Sequence, residues 1–428
     1  MWDTAIGAVQ LEDDSDVATF AYTSDFQGSG IEVAPLMMPL GPRVFSFPGL
    51  RRESFHGLPG LLADSLPDRY GNLLINAWLA TQGRTPGSFN AVERLCYTGT
   101  RGMGALEFRP AEGPNLQGAT KIDIGAMVEL ASEVLTHRTD LQVSFAGTTQ
   151  EHALRDILKV GTSAGGARAK AVIAWNRETN DVRSGQVAAG EGYSYWLLKF
   201  DGVSGNKDKE LVDPEGYGAV EYAYSKMAAA AGIQVTDTHL LEEHGRRHFM
   251  TKRFDRLEGG GKLHMQSLAA LAHFDFNDAQ AYSYEQAMLV IRQLGLGTEA
   301  VEEQYRRMAF NIIARNQDDH VKNIAFLMDR RGTWNLSPAF DITWNFTLDG
   351  KWTSRHQMSL NGKHDGFALE DFEAGAKSAS LNAARARTIV EEVRNAVAEW
   401  PSFAEASNVS GELRARIDPT LRLTWGSP

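Results

Sequence analysis

FNIIARNQDDHVKNIAFLMDRRGTWNLSPAFDITWN, residues 310–345, is the stretch whose pattern decides the fold. Asp318 and Asn323 stand five residues apart at the mouth of an apolar run, and Asp341 follows eighteen residues after Asn323. Between them IAFLMDR (324–330) has the composition of a strand, RRGT supplies turn residues, and WNLS (334–337) reads as the antiparallel return. Two strands at ~3.3 Å per residue leave and come back to nearly the same point, so Asn323 and Asp341 become neighbours. An Asp, an Asn and a second Asp in this order are the polar groups of a protein-kinase-type active site. In that assignment Asp318 accepts the proton of an acceptor hydroxyl. Asn323 and Asp341 hold Mg²⁺, which takes one or two protein oxygens and completes its shell with phosphate and water. His320 reads as a brace of the loop, and Lys322 as a contact of the transferred phosphate or a solvated lysine. The bland alternative is a polar loop capping a hairpin.

Such a site also needs a phosphate loop and a lysine. GTSAGGARAK (161–170) offers successive backbone N–H groups at Ser163, Ala164, Gly165 and Gly166, and glycine permits the backbone curl that cradles phosphate oxygens. It matches neither GxxxxGK[ST] nor GxGxxG, so alone it is equally a plain connector. Its position gives it weight, because Lys170 and the strands AVIAWN (171–176) and YSYWLLKF (193–200) come next. Alternation puts Tyr193, Tyr195, Leu197 and Lys199 on one strand face. A desolvated ammonium is costly without an anion, and nucleotide phosphates would supply one for Lys199. Glu221, opening the helical stretch VEYAYSKM, is a candidate carboxylate to steer it; the plain alternative for Lys199 is a surface lysine at a strand end.

At 428 residues the chain is too long for one ordinary core, and its 43% hydrophobic and 23% charged residues are those of a globular protein. The net charge of −11 excludes a general phosphate-neutralising surface but leaves room for a local basic patch. A single cysteine, Cys96, excludes an intramolecular disulfide framework, fits a reducing cytoplasm, and reads as a small buried apolar residue. The start, MWDTAIGAVQLEDD, shows neither a basic n-region nor a long apolar h-region, and no run approaches the ~18 apolar residues of a membrane span. The expectation is a cytoplasmic protein without a membrane. His244 and His248 are spaced i, i+4, but in charged, Gly-containing EEHGRRHF they read as solvent-exposed rather than metal-binding.

Three units are expected in this α+β chain. Residues 1–110 form a small β-rich unit (TAIGAVQL, VATFAY, RVFSF) that includes a helix capped by Asp68 and ending near Gly83. PAEGPNLQGA (110–119) is a linker. Residues 120–255 form a mixed α/β nucleotide lobe containing a helix started by Asp123. Residues 256–428 form a mostly helical lobe with the catalytic loop. HFMTKRFDRL, EGGG and KLHMQS (248–267) read as one hairpin.

DDHVKN followed by LSPAFD, the loop TSAGGARAK, WLLKFDG, TKRFDR and GLPGLLADSLPDRYG together resemble the HipA-type serine/threonine kinase toxins, in order from about residue 55 to 345. The resemblance implies a protein-kinase-like two-lobe core with a small amino-terminal β subdomain, and use of ATP and Mg²⁺. It also implies a HipB-like helix-turn-helix antitoxin as partner, DNA contact only through that antitoxin, and a protein substrate such as an aminoacyl-tRNA synthetase. Asp318 would be the base, Asn323 and Asp341 the Mg²⁺ ligands and Lys199 the phosphate contact. The adenine would lie on backbone groups of Met250–Lys252. Ser163 would correspond to the loop serine that such kinases autophosphorylate, where a phosphate of charge about −1.5 to −2 would repel nucleotide. Two departures bear on the substrate: Asp319 follows Asp318 where a small residue or arginine is expected, and the loop has SAGGAR rather than an acid-bearing variant. The rival expectations are a small-molecule phosphotransferase and an inactive scaffold acting as an antitoxin-bound co-repressor.

Overall fold

Short runs of β-branched and aromatic residues begin the chain, and in the computed structural model, which describes residues 1–113, 121–136, 158, 168–203 and 215–425, they form an antiparallel sheet. Its strands are β1 (Gly7–Gln10), β2 (Thr19–Tyr22) and β3 (Val44–Ser46), in that order. Helices then take over. Arg69–Thr81 is capped by the Asp68 carboxylate, which accepts the Gly71 N–H at 2.6 Å, and Ala91–Thr98 carries a reciprocal Asn90–Glu93 capping box. Two glycines of GLPGLLADSLPD fix how this region docks. Gly57 adopts a positive φ, and a Cβ there would collide with the Asp16 carbonyl; at Gly60 it would collide with the Ala270 carbonyl. The Gly60 N–H donates to His273 Nε2 at 3.0 Å, which seats the helix Gly60–Ala63 on the helix Leu268–Ala272.

The five-stranded sheet runs β5-β4-β6-β8-β7, all neighbours antiparallel. It comprises β4 (Lys170–Asn176), β5 (Asp181–Ser184), β6 (Ser194–Lys199), β7 (Thr238–Glu243) and β8 (Arg246–Lys252). The helix Tyr217–Ala230 connects β6 to β7. Two expectations are corrected here. His244, exposed as expected, and Gly245 form the tight turn between β7 and β8, but His248 is fully buried, its Nδ1 accepting the Asp201 N–H at 2.9 Å. The charged residues around it hid the burial of His248. Likewise, the chain does turn at Leu257–Gly261, but KLHMQS does not return along β8. Its strand β9 (His264–Ser267) crosses into the helical half.

That half holds β10 (Tyr282–Ser283), β11 (Ala325–Met328), β12 (Trp334–Leu336) and β13 (Met358–Ser359). β11 and β12 form the expected antiparallel excursion, joined by β9 on the open edge of β11; β10 and β13 make a short parallel pair. The long helix Thr298–Ile313 leads into the loop that carries Asp318 and Asn323 and is buried along most of its length, including Met308, Phe310, Ile312 and Ile313. A fully buried Leu or Phe contributes about 1.5–3 kcal/mol, so this helix is a fixed base for the loop at its carboxy-terminal end.

The apolar interior divides in two. One cluster joins residues up to Leu66, with Leu95, Ala105 and Leu106, to the helices of the carboxy-terminal half; the other joins the helices Arg69–Thr81 and Ile124–Thr136 with the five-stranded sheet. Among the described residues no helix is long and apolar enough to cross a membrane.

Candidate active site

A cavity of about 840 Å³ is lined by residues of both clusters, within the range of small-molecule and cofactor sites. Its sheet wall comes from register. Lys199 on β6 lies opposite Phe249 on β8, and Leu197 opposite Thr251, and these four residues face the cavity. On the other side of β6, Lys199 is the direct cross-strand partner of Lys170. Two lysines facing each other across a ladder repel, so each requires its own carboxylate. Lys170 pairs with Asp68 at 3.1 Å, both side chains being 4% exposed. Lys199 Nζ donates to Glu221 Oε1 at 2.5 Å and also to Asp341 Oδ1.

This second arrangement joins three distant segments: a strand end, the helix Tyr217–Ala230 and the residue Asp341 beyond β12. Burial alone would lower the Lys199 ammonium, but Asp341 and then Glu221 outweigh it and hold the group above its ordinary value. Burial likewise pulls Asp341 upward, and Lys199 and Lys170 more than reverse this, bringing it down to about 2. Glu221 is more deeply enclosed: burial outweighs Lys199 and Arg168 and raises its carboxyl. Arg168 stands 3.7 Å from the second Glu221 oxygen. Asp341 keeps 27% of its side chain exposed, so it stays accessible from the cavity. It also holds a left-handed φ of 53°, which Asp tolerates better than most residues.

The loop that carries Asp318 and Asn323 comes after the end of Thr298–Ile313. Asp318 is half-buried on the cavity wall, and its backbone carbonyl accepts the Asn323 side-chain N–H at 2.9 Å. That bond commits the nitrogen of the Asn323 amide, so its oxygen is the available ligand atom. His320 Nε2 lies 3.8 Å from the Asp318 carboxylate. Lys322 Nζ stands over the Phe276 ring at 4.5 Å. Asp318, His320, Lys322, Asn323, Asp341, Lys170, Lys199 and Lys252 therefore all line one cavity.

Met250 does not. It is fully buried in the sheet's own apolar cluster, and β8 is flanked by ladders on both sides. The Lys252 N–H is donated to the Asp237 carbonyl at 2.8 Å, and the Arg253 N–H to that of Tyr195. Alternation turns the Met250 side chain away from the cavity and gives it Phe249 and Thr251, with Lys252 at the strand end also on its lining. Ser163, Ala164, Gly165 and Gly166 lie outside the described residues. Cys96 is half-buried, its thiol raised chiefly by burial.

The sequence reading missed the role of Asp319. It is buried beneath the loop, where its carboxylate accepts the Gln357 N–H at 2.7 Å, the Tyr284 hydroxyl, and His356 Nδ1 at 2.7 Å. Arg422, from the end of the chain, donates to His356 Nε2 at 2.8 Å. A guanidinium can only donate, so Nε2 must accept and the proton sits on Nδ1, facing Asp319. Burial keeps His356 below its ordinary value. For Asp319 burial acts upward, but His356, Tyr284 and Gln357 prevail and lower its carboxyl. The doubled acid of DDH was the available signal, since a second carboxylate in an apolar loop requires buried donors.

The residues could hold a nucleotide with Mg²⁺. Among the described residues no cluster of three or more His, Cys, Asp or Glu could hold a metal alone. Asn323 and Asp341 are a two-oxygen set of the kind Mg²⁺ takes when phosphate oxygens complete the shell.

Fold and site together define a mixed α+β molecule with a protein-kinase-like two-lobe core. The HipA N-terminal domain family matches residues 1–109 and the HipA-like C-terminal domain family residues 162–400. The second match spans more than half of the chain, which therefore belongs to the HipA-like family. The solved HipA of Shewanella oneidensis MR-1, from a complex with HipB and operator DNA, superposes with a TM-score of 0.66. The superposition covers 97% of this chain and 92% of that one at 17% identity, a likeness of fold. A Sinorhizobium fredii protein named "Putative kinase Y4dM" is 24% identical over 217 residues, 47% of this chain and 51% of its own length. The match thus spans about half of that relative. The Helicobacter pylori kinase CtkA gives a TM-score of 0.32 at 12% identity over 51% of this chain and 92% of that one, too low to bear on the argument.

Proposed function

We propose that this chain is an ATP- and Mg²⁺-dependent kinase that phosphorylates a serine or threonine of a protein, and that it is the toxin half of a toxin–antitoxin pair. The observation that carries this is Lys199 shared between Glu221 and Asp341 in the cavity that Asp318 and Asn323 also line. Lys199, steered by Glu221, would donate to nucleotide phosphate; Asn323 and Asp341 would hold Mg²⁺, whose charge offsets that of the phosphates. Asp318 would orient the acceptor hydroxyl and take its proton, with catalysis resting on positioning and charge neutralisation. Ser163 is the proposed autophosphorylation site. A HipB-like helix-turn-helix antitoxin is the proposed partner, with DNA reached through it; family membership and the likeness to a HipA solved with HipB and operator DNA support that part.

Incubation with γ-labelled ATP, Mg²⁺ and a cell lysate tests the activity. Labelled phosphoserine or phosphothreonine on a protein band, absent with Asp318→Asn, is the expected result. Label only on a metabolite would favour a small-molecule phosphotransferase. No turnover and no ATP binding would point to an inactive scaffold.

A further inference from the structure

The cavity extends past Asp318 to a wall built by the amino-terminal region, contributing His56, Asn72, Asn76 and Arg94, with Phe276 and Lys322 beside them. Arg94 is gripped by neutral oxygens: Asn72 Oδ1 at 2.8 Å, Asn76 Oδ1 at 3.2 Å and the Pro86 carbonyl at 3.3 Å. Lys322 rests on the Phe276 ring. His56 lies near both cations: burial lowers it first, and Arg94 and Lys322 lower it further. The acids of this region are mostly committed elsewhere. Asp64 accepts the N–H and hydroxyl of Ser267 at 2.7 and 2.8 Å, and Asp68 holds Lys170. Glu93 is held by Arg84 at 3.1 Å, and Glu53, exposed at the rim, is the opposing charge. Burial lowers the half-buried Arg94 guanidinium and only Glu93 acts against this, as its hydrogen bonds to neutral oxygens would lead one to expect. In a chain of net charge −11 Arg94 and Lys322 make a local basic patch, with His56 beside them, and Lys322 is four residues from the proposed base.

We propose that this end of the cavity is the acceptor subsite, where Arg94, Lys322 and His56 select a protein segment whose serine or threonine is flanked by aspartate or glutamate. The assignment rests on the kinase function proposed above and makes the amino-terminal region part of substrate choice. A carboxylate reaching Arg94 gains a charge-assisted bond from a guanidinium already half-buried and oriented by Asn72, Asn76 and Pro86, which reduces the ordering cost.

The test uses the full chain with Mg²⁺–ATP and serine peptides with acidic, neutral, basic or phosphorylated flanks, measured by turnover and by fluorescence anisotropy. Acidic-flanked peptides are expected to exceed neutral ones by about tenfold in kcat/KM and in affinity, and Arg94→Met to remove that advantage through KM. Arg94→Lys, which keeps the charge, restores part of it, and Lys322→Met, on a half-buried side chain, gives the same loss independently of Arg94 folding effects. Preference for neutral or basic flanks, preference confined to phosphorylated flanks, or an acidic preference unchanged by both Met variants overturns the proposal. Anisotropy reports peptide binding without turnover, and nucleotide titration separately reports whether the kinase reading itself has failed.

Discussion

Replacing Asp319 by Asn changes one atom beneath the loop that carries Asp318 and Asn323 and tests whether that loop is held from below. The carboxylate accepts from Gln357, Tyr284 and His356. An amide keeps one oxygen, enough for the Gln357 N–H, and turns an NH₂ toward the remaining donors. The Tyr284 hydroxyl can rotate, but His356 cannot exchange its tautomer, because Arg422 donates to its other nitrogen. One charge-assisted bond is lost and one buried donor is left facing another donor, together about 3–5 kcal/mol. Because Asp318 is the adjacent residue, the same change displaces the proposed base, and a shift on the order of 1 Å costs about 10²-fold in rate. Urea unfolding measures the first quantity, and kcat at saturating Mg²⁺–ATP the second. Paired with His356→Ala, the variant should show a coupling energy of about 1–3 kcal/mol in a double-mutant cycle. Stability within about 0.5 kcal/mol of wild type together with an unchanged kcat would refute the brace.

The other buried charges make their own predictions. Asp68→Ala leaves Lys170 buried without its carboxylate and removes a helix cap, for an expected loss of about 3–5 kcal/mol in urea unfolding. The double variant Asp68→Asn, Lys170→Met should recover most of that loss; if it is no better than the single variant, the pair is not the cause. Acid dependence arises from Asp319 and Asp341, both held below the ordinary 3.8. A depressed carboxylate contributes stability that is complete above its unfolded value and lost as pH falls through its folded one, which for Asp341 is about 2. Glu221 and Asp68, raised chiefly by burial, act in the opposite sense. The clean readout is therefore a difference: the stability gap between wild type and Asp319→Asn should narrow as pH falls from about 5 to about 3, and a constant gap would contradict the assignment.

The parts of the fold legible in the sequence were those written in local patterns. The β11–β12 excursion was readable because turn residues sit between an apolar run and a short stretch able to return beside it. The caps at Asp68 and Asp123 were readable because a short acid precedes a helical stripe, and in both cases the carboxylate accepts the expected N–H. The face of β6 that carries Lys199 came from alternation. What stayed hidden depends on partners far apart in the chain. Lys170 meets Asp68 from across a unit boundary, and Asp319 meets His356 and Arg422, which no local spacing relates to it. The hairpin of β7 and β8 was hidden differently: its charged residues reach solvent while His248, between them, is fully buried. Where KLHMQS goes was also invisible, because strand composition does not say which neighbouring edge is open.

The central claim is that Lys199, Asn323 and Asp341 serve one metal-bound nucleotide. Calorimetric titration with a non-hydrolysable ATP analogue, with and without Mg²⁺, tests it most directly. Wild type should bind only weakly without Mg²⁺, Asp341→Asn should lose the Mg²⁺ enhancement, and Lys199→Met should weaken binding by about tenfold or more. Binding indifferent to Mg²⁺ and unchanged in both variants would contradict the account.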